Sequence, residues 1–359
     1  MCNPALREPQ RTDRSTSLVT RSEPQPRRAK SNPDSLQPLD VPVALFRAIH
    51  ADPPVKPKVL HAGEARKFFY PRIGKFQDRT ITSQKRVKER IESFDLIPLV
   101  AGLGISGNIL MGKEGRDDDL EIMKANIEIA GRLGLRAMNY SFTALRASEG
   151  YAAQMGVGRG GSNLRDFDHD RIVDLPPLEG IGRIGMDEMW DHLTYFLEAV
   201  IPTAERAGVQ LAAHPNDPPI PEYRGVAQPL GDVEGMKRLI EVVDSPSNCI
   251  FYDTGVMTQK GADAVEMIRY FGSRNRIGTV HFRNVRVDVP RFKYLETFHD
   301  DGDCDMFACV QAFKEVGYSG MLDPNHTPGI LGDTPDTRIG WAFAIGQMVA
   351  MRNAVEREG

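Results

Sequence analysis

Five residues of the kinds that hold divalent cations sit at the ends of apolar runs. They are His214 in "LAAHPNDPP", Asp253 in "FYDTG", His281 in "VHFRN", and Asp323 and Asn325 in "LDPNH". Imidazole nitrogens combined with carboxylate or amide oxygens make a mixed N/O donor set suited to Mn²⁺, Mg²⁺, Fe²⁺, Co²⁺ or Zn²⁺. Any one of these side chains, alone, reads more simply as a hydrogen-bonded structural group at a strand end. Four runs that each deliver one make a shared metal site the better account. In a regular strand Asp323 and Asn325 share a face and His326 points the other way, so either of the first two can be the fourth ligand.

Further polar groups flank that set. Arg283 lies two residues beyond His281, on the same face of a regular strand, where a guanidinium can clamp a carboxylate bidentately or close a rim salt bridge. Asn216 and Asp217 follow His214 in a proline-rich turn and supply turn polarity, hydrogen bonds to the ligands, or contacts to substrate. The stretch "ETFHDDGDCDM" (296–306) reads as the acidic opening of a helix. It carries His299, a proton donor or acceptor, while Asp301 and Asp303 read as capping or solvated groups.

The elements that must position these residues form an alternating series. Strand-like runs fall at 94–102, 135–142, 209–215, 249–255, 279–285 and 320–326, with helical periodicity near 118–132, 186–207, 233–243, 262–272, 304–316 and 337–357. One or two further strands are expected within 42–72. Strand–helix repetition of this kind makes an α/β fold, a closed (β/α)₈ TIM barrel in preference to a doubly wound open sheet. In a barrel the C-terminal strand ends share one rim, which gathers the candidate ligands.

Residues 1–40, rich in Arg, Ser, Pro and Gln, are expected to be a flexible tail, and 41–359 a single catalytic domain. The glycine-rich stretch 143–185 is expected to be a long lid-like loop. Its "GVGRGGS" lacks the GK[ST] ending of a phosphate cradle. Arg27 and Arg28 are followed by polar residues rather than the apolar segment of a twin-arginine export signal.

Composition narrows the partners. The 359-residue chain is 41% hydrophobic and 26% charged with net charge −4, which gives no electrostatic footprint for nucleic acid or an anionic membrane. Four cysteines without CxxC spacing read as reduced thiols, and no run of about 18 to 20 apolar residues is present. A cytoplasmic protein acting on a small molecule is expected, with a homo-oligomer as its assembly.

The blocks "AVIPTAERAGVQLAAHPNDPP", "VVDSPSNCIFYDTG", "VHFRNV", "TFHDDGDCDM" and "DPNH" resemble those of mannonate dehydratases, within the xylose-isomerase-like barrel superfamily. The resemblance runs from about residue 85 to the C-terminus. It implies a divalent metal, usually Mn²⁺, held by two histidines, a cysteine and an aspartate. His214 and His281 take the histidine positions. Asp253 stands where the family has cysteine before Thr-Gly, and Asn325 where it has aspartate, with Asp323 two residues earlier. A hard carboxylate in place of thiolate favours Mn²⁺ or Mg²⁺, and the aspartate-to-asparagine change removes a negative charge.

The reaction the resemblance implies is dehydration of a sugar acid. D-mannonate loses its C2 proton and C3 hydroxyl, through an enediolate, to give 2-keto-3-deoxygluconate. Arg283 would then hold the substrate carboxylate, with His299 or Tyr140 delivering a proton. A metal-dependent sugar isomerase or epimerase of the same superfamily, or a non-catalytic sugar-acid-binding paralogue, are the alternatives.

Overall fold

Short apolar runs that end in a polar residue and a turn become parallel strands here, and the amphipathic segments between them become the helices that cover one side. The computed structural model describes residues 98–144, 149–334 and 337–358, with Lys85, Lys88, Glu89 and Glu92. The expected tail 1–40 and the strand candidates within 42–72 lie outside the described residues.

The chain opens with β1 (Val100–Gly102), a short α1 (Gly107–Leu110), α2 (Arg116–Arg132) and β2 (Ala137–Ser141). Two strands follow, β3 (Tyr151–Gln154) and β4 (Leu164–Asp168), and then α3 (Met186–Ala207) and β5 (Gln210–His214). A two-residue pair, β6 (Glu222–Tyr223) and β7 (Val226–Ala227), precedes α4 (Val233–Val242), β8 (Asn248–Asp253), α5 (Thr254–Gln259) and α6 (Ala264–Gly272). The last section holds β9 (Ile277–His281), β10 (Asn284–Val289), β11 (Lys293–Thr297), α7 (Met306–Glu315), β12 (Leu322–Asp323) and α8 (Arg338–Arg357).

Strands β1, β2, β5, β8, β9 and β12 form one sheet in that order, every pair parallel. The spatial order never reverses relative to the chain. A doubly wound sheet reverses at its switch point, so this winding is that of a barrel. The helices start where the sequence supplies a cap. Asp232, Asp263 and Asp305 each accept from backbone N–H groups of the first turn of α4, α6 and α7. On α3, Met189, Leu193, Phe196, Leu197, Val200 and Ala204 recur at helical spacing and are fully buried.

A second sheet stands over the strand ends. After His281 the chain leaves the barrel, and from Asn284 it runs into the antiparallel hairpin β10–β11, which β4 and then β3 extend in the order β10-β11-β4-β3. Two expectations are corrected by this. The region 143–185 is not a plain loop, because its β4 pairs with β11, more than a hundred residues away, and its β3 pairs with β4. The stretch 296–306 does not open a helix either: Glu296 and Thr297 complete β11, and α7 begins at Met306. "VRVDV" and "KYLET" alternate with period 2, which was the local sign of the hairpin.

Asn284 fastens the segment between β11 and α7. Its Nδ2 donates to the carbonyls of His299 (2.8 Å) and Cys304 (3.0 Å), and its Oδ1 accepts from Cys304 N (3.0 Å). Gly302 lies against this side chain, where a Cβ would meet Asn284 Oδ1 at 2.3 Å. Asn284→Ala leaves these buried backbone groups unpaired and is expected to lower the unfolding free energy by about 2–4 kcal/mol, read from urea denaturation.

Candidate active site

Strand register builds the core of the site. Asp253 on β8 pairs with His281 on β9, and His281 pairs with Asp323 on β12, so three polar side chains form one row across the rim. His214 at the end of β5 joins them. Its Nε2 is 3.1 Å from His281 Nδ1 and 3.6 Å from Asp253 Oδ2, and His281 Nδ1 is 3.3 Å from that same oxygen. The ring of Phe251 packs against both imidazoles, with centroids 5.0 and 4.0 Å away.

These spacings suit a bound cation. Metal–ligand bonds of about 2.1 Å at tetrahedral or octahedral angles put the donor atoms about 3.0–3.4 Å apart. The protonation pattern suits one too. His214 Nδ1 donates to the Pro215 carbonyl at 2.7 Å, which leaves the Nε2 lone pair facing inward. Burial pushes the His281 imidazole down to about 3, against the opposing pull of Asp253, so that ring is a neutral donor. His214, Asp253 and His281 are therefore the residues that would hold a divalent cation.

Asp253 is held in place from two sides. Its Oδ1 accepts from Val256 N at the start of α5, at 2.8 Å, and its Oδ2 accepts from Arg283 Nε at 2.9 Å. Burial alone would raise this carboxyl, yet the Arg283 guanidinium and the two imidazoles hold it well below the usual carboxylate range. Thr254 Oγ1 accepts from Arg283 N at 3.0 Å and donates to Arg283 O at 2.6 Å. Gly255 leaves room for the arginine stem, since a Cβ there would lie 3.0 Å from Arg283 Cγ. The triplet "DTG" thus supplies a buried carboxylate, a backbone clamp and a gap.

Arg283 is 1% exposed and reaches three carboxylates. Besides Asp253, its Nη2 donates to Asp217 Oδ2 at 2.7 Å and its Nη1 lies 3.4 Å from Glu296 Oε1. Asp217 Oδ1 accepts from the hydroxyls of Tyr151 (2.8 Å) on β3 and Tyr294 (2.9 Å) on β11. Glu296 Oε1 also accepts from Arg165 Nη1 on β4 (3.0 Å) and pairs with His326 Nδ1 (3.0 Å). One face of the second sheet therefore closes over the row of Asp253, His281 and Asp323.

The residues singled out from sequence separate into three groups. His214, Asp253 and His281 come together, and Arg283 joins them as the centre of an internal ion-pair cluster rather than an open clamp. Asp323 flanks the set, its Oδ2 4.0 Å from His281 Nε2 and its Oδ1 accepting from Asn325 N at 2.9 Å. Asn325 has φ of 51°, so β12 ends at Asp323 and the period-2 argument for the side chains beyond it fails. That turn is what carries His326 to Glu296.

The other candidates are placed elsewhere. Tyr140 has the opposite parity to Asn139 and Ser141, which pair with Ala212 and His214, and its ring packs on Phe196 of α3 at 5.2 Å. Burial there raises its ionisation further above its ordinary value. His299 folds back on Phe282, with Nε2 2.7 Å from the Phe282 carbonyl, and burial pushes it down to about 4. Asn216 is a staple: Nδ2 donates to Phe142 O (3.2 Å) and Oδ1 accepts from Leu230 N (2.7 Å). Asp217 is occupied by Arg283 and the two tyrosines. Arg165, Glu296, His326, Tyr151 and Tyr294 were not anticipated, and only the alternation of the β10–β11 hairpin pointed toward any of them.

Comparison with known proteins fits this arrangement. The sequence profile of the D-mannonate dehydratase (UxuA) family matches residues 79–357. The chain belongs to that family. Mannonate dehydratase 1 of Halalkalibacterium halodurans is 30% identical over 275 residues, covering 67% of this chain and 74% of its own. Mannonate dehydratase of Thermotoga neapolitana is 28% identical over 313 residues, 76% of this chain and 86% of its own. The crystal structure of mannonate dehydratase from Streptococcus suis serotype 2 superposes with TM-score 0.69 at 26% identity, covering 79% of this chain and 83% of that one. A xylose isomerase domain protein from Planctomyces limnophilus, 14% identical with TM-score 0.52 and covering 77% of this chain and 86% of its own, shares the fold. The fold is the xylose-isomerase-like barrel, and the family is one of carbon–oxygen hydro-lyases.

Two outcomes are expected for this site. A divalent cation at about a hundred times its Kd is expected to add about 2.7 kcal/mol to the unfolding free energy, and His281→Ala to abolish that gain in a thermal melt. Glu296 is the second case. Burial would raise its carboxyl, but His326, Arg165 and Arg283 bring it from the usual 4.5 down to about 2. Its folded value is depressed, so the stabilisation is complete above about pH 4.5 and lost as pH falls toward 2. Glu296→Gln is expected to flatten that part of the stability–pH curve measured by denaturant titration.

Proposed function

We propose that this protein dehydrates a sugar acid, D-mannonate or a close relative, to the 2-keto-3-deoxy acid in a divalent-metal-dependent reaction. The observation that carries this is the donor triad His214, Asp253 and His281, with atoms 3.1–3.6 Å apart, at the strand-end rim of a family member. Two imidazole nitrogens and a hard carboxylate favour Mn²⁺ or Mg²⁺. A cation held there supplies Lewis acidity toward the substrate's oxygens and balances the negative charge of the enediolate that proton removal creates.

The chain's own residues do the rest. Dehydration of an aldonate needs a base for the C2 proton and an acid for the C3 hydroxyl. Among the imidazoles near the rim, His326 suits proton transfer. Its side chain is 23% exposed, and the Glu296 carboxylate at Nδ1 fixes the tautomer that leaves Nε2 able to accept a proton. His299, buried against a backbone carbonyl, is not offered to solvent in this way. Arg283 acts indirectly, holding Asp253, Asp217 and Glu296 at fixed separation.

A further part of the reading is a cytoplasmic setting. It is supported by Cys249, Cys304 and Cys309, which are free thiols, and by the lack, among the described residues, of a helix long and apolar enough to cross a membrane.

The test is product analysis of a sugar-acid panel with Mn²⁺ or Mg²⁺. Loss of one water from D-mannonate or a stereoisomer is expected, and a product of unchanged mass would instead indicate isomerisation. His326→Gln is expected to lower kcat by about 10²–10⁴ while leaving Mn²⁺ affinity at the wild-type value. Full activity in that variant would remove His326 from the chemistry.

A further inference from the structure

A sugar acid bears a carboxylate, and the arginine nearest the metal row cannot take it. Arg283 is 1% exposed and its Nε and both Nη atoms are directed at Asp253, Asp217 and Glu296. To accept a fourth carboxylate it would have to give up a buried ion pair. The second sheet supplies another guanidinium. Arg165 stands directly opposite Glu296 in the β4–β11 register, its side chain 36% exposed.

Only one edge of that guanidinium is occupied. Nη1 donates to Glu296 Oε1 at 3.0 Å and lies 3.2 and 3.4 Å from the two ring nitrogens of His326. The plane is held by the Tyr151 ring, with Cζ 3.8 Å from its centroid. Among the described residues Nε and Nη2 have no partner, and these two N–H groups form the side-on edge that matches a carboxylate bidentately. A guanidinium anchored at one corner and stacked on one face loses little freedom when its other edge is used.

We infer that Arg165 binds the substrate's carboxylate and so selects sugar acids over neutral sugars. This rests on the sugar-acid reading above. The proton to be removed is on C2, the carbon bonded to that carboxylate. Seating the carboxylate on Arg165 brings C2 beside His326, whose ring is already in contact with the same guanidinium. As the proton leaves, charge flows onto the carboxylate oxygens, so the contact with Arg165 strengthens toward the transition state.

The experiment compares two ligands on the Mn²⁺-loaded full-length protein by calorimetry, D-mannonate and its neutral amide. Wild type is expected to bind the acid at least about tenfold more tightly than the amide. Arg165→Gln loses about 10- to 100-fold on the acid, binds the amide as wild type does, and keeps wild-type Mn²⁺ affinity. Arg165→Lys, which keeps the charge and loses the fork, falls between, and it decides the matter should Arg165→Gln fail to hold Mn²⁺. If Arg165→Gln retains the preference for the acid, or loses both ligands equally, the inference falls while the sugar-acid reading stands. If wild type binds neither ligand, both fall together.

Discussion

A single buried guanidinium holds the rim together. Arg283 sits among Asp253, Asp217 and Glu296, and each of those carboxylates belongs to a different part of the fold. Asp253 ends a barrel strand, Asp217 lies in the turn after β5, and Glu296 is on the second sheet. Taking a guanidinium out of water costs several kcal/mol, and this arrangement repays it with three charge-assisted hydrogen bonds. It also leaves a surplus. Three carboxylates against one arginine give a local charge of −2, and Arg165 and Asp323 cancel one another. That surplus of negative charge is the kind a divalent cation would balance.

Asp253, which the resemblance sets where a cysteine is expected, belongs to the same logic. A thiolate offers one sulfur, which a metal can satisfy alone. A buried carboxylate brings two oxygens that both need partners. In this chain Asp253 Oδ1 caps α5 and Oδ2 faces Arg283 and the two imidazoles. The aspartate is thus at once a helix cap and an ion-pair partner, with Oδ2 left on the side where a metal would sit.

What was legible in the sequence was local. His214, Asp253 and His281 stood out because each ends an apolar run, and the barrel's geometry turns that position into a shared rim. The helices were legible for the same reason, their apolar spacing and aspartate caps lying within one segment. Tyr140 was misjudged because both faces of a barrel strand are buried, so composition does not reveal parity, and only register with β5 shows which face meets the site. Arg165 had no local signal at all: its place depends on pairing with Glu296, 131 residues away. The left-handed backbone at Asn325, which redirects His326, is a choice that asparagine permits but does not announce.

These origins divide the labour of the site. The barrel rim brings His214, Asp253 and His281 together, set by the register of β8 and β9 and the end of β5, and Arg283 ties Asp253 to Glu296 above it. The second sheet provides the exposed charge and orients the imidazole through Arg165 and Glu296, while His326 itself arrives from the turn after β12. The two layers meet where Arg283, Asp217 and the paired tyrosines Tyr151 and Tyr294 hydrogen-bond across the gap, and again where Glu296 meets His326. Movement of the roof relative to the rim would have to strip a carboxylate from a buried arginine, a cost of about 3–5 kcal/mol per broken pair. The roof is therefore fixed in register with the row of Asp253 and His281 through Arg283, which bridges Asp253 below and Glu296 above.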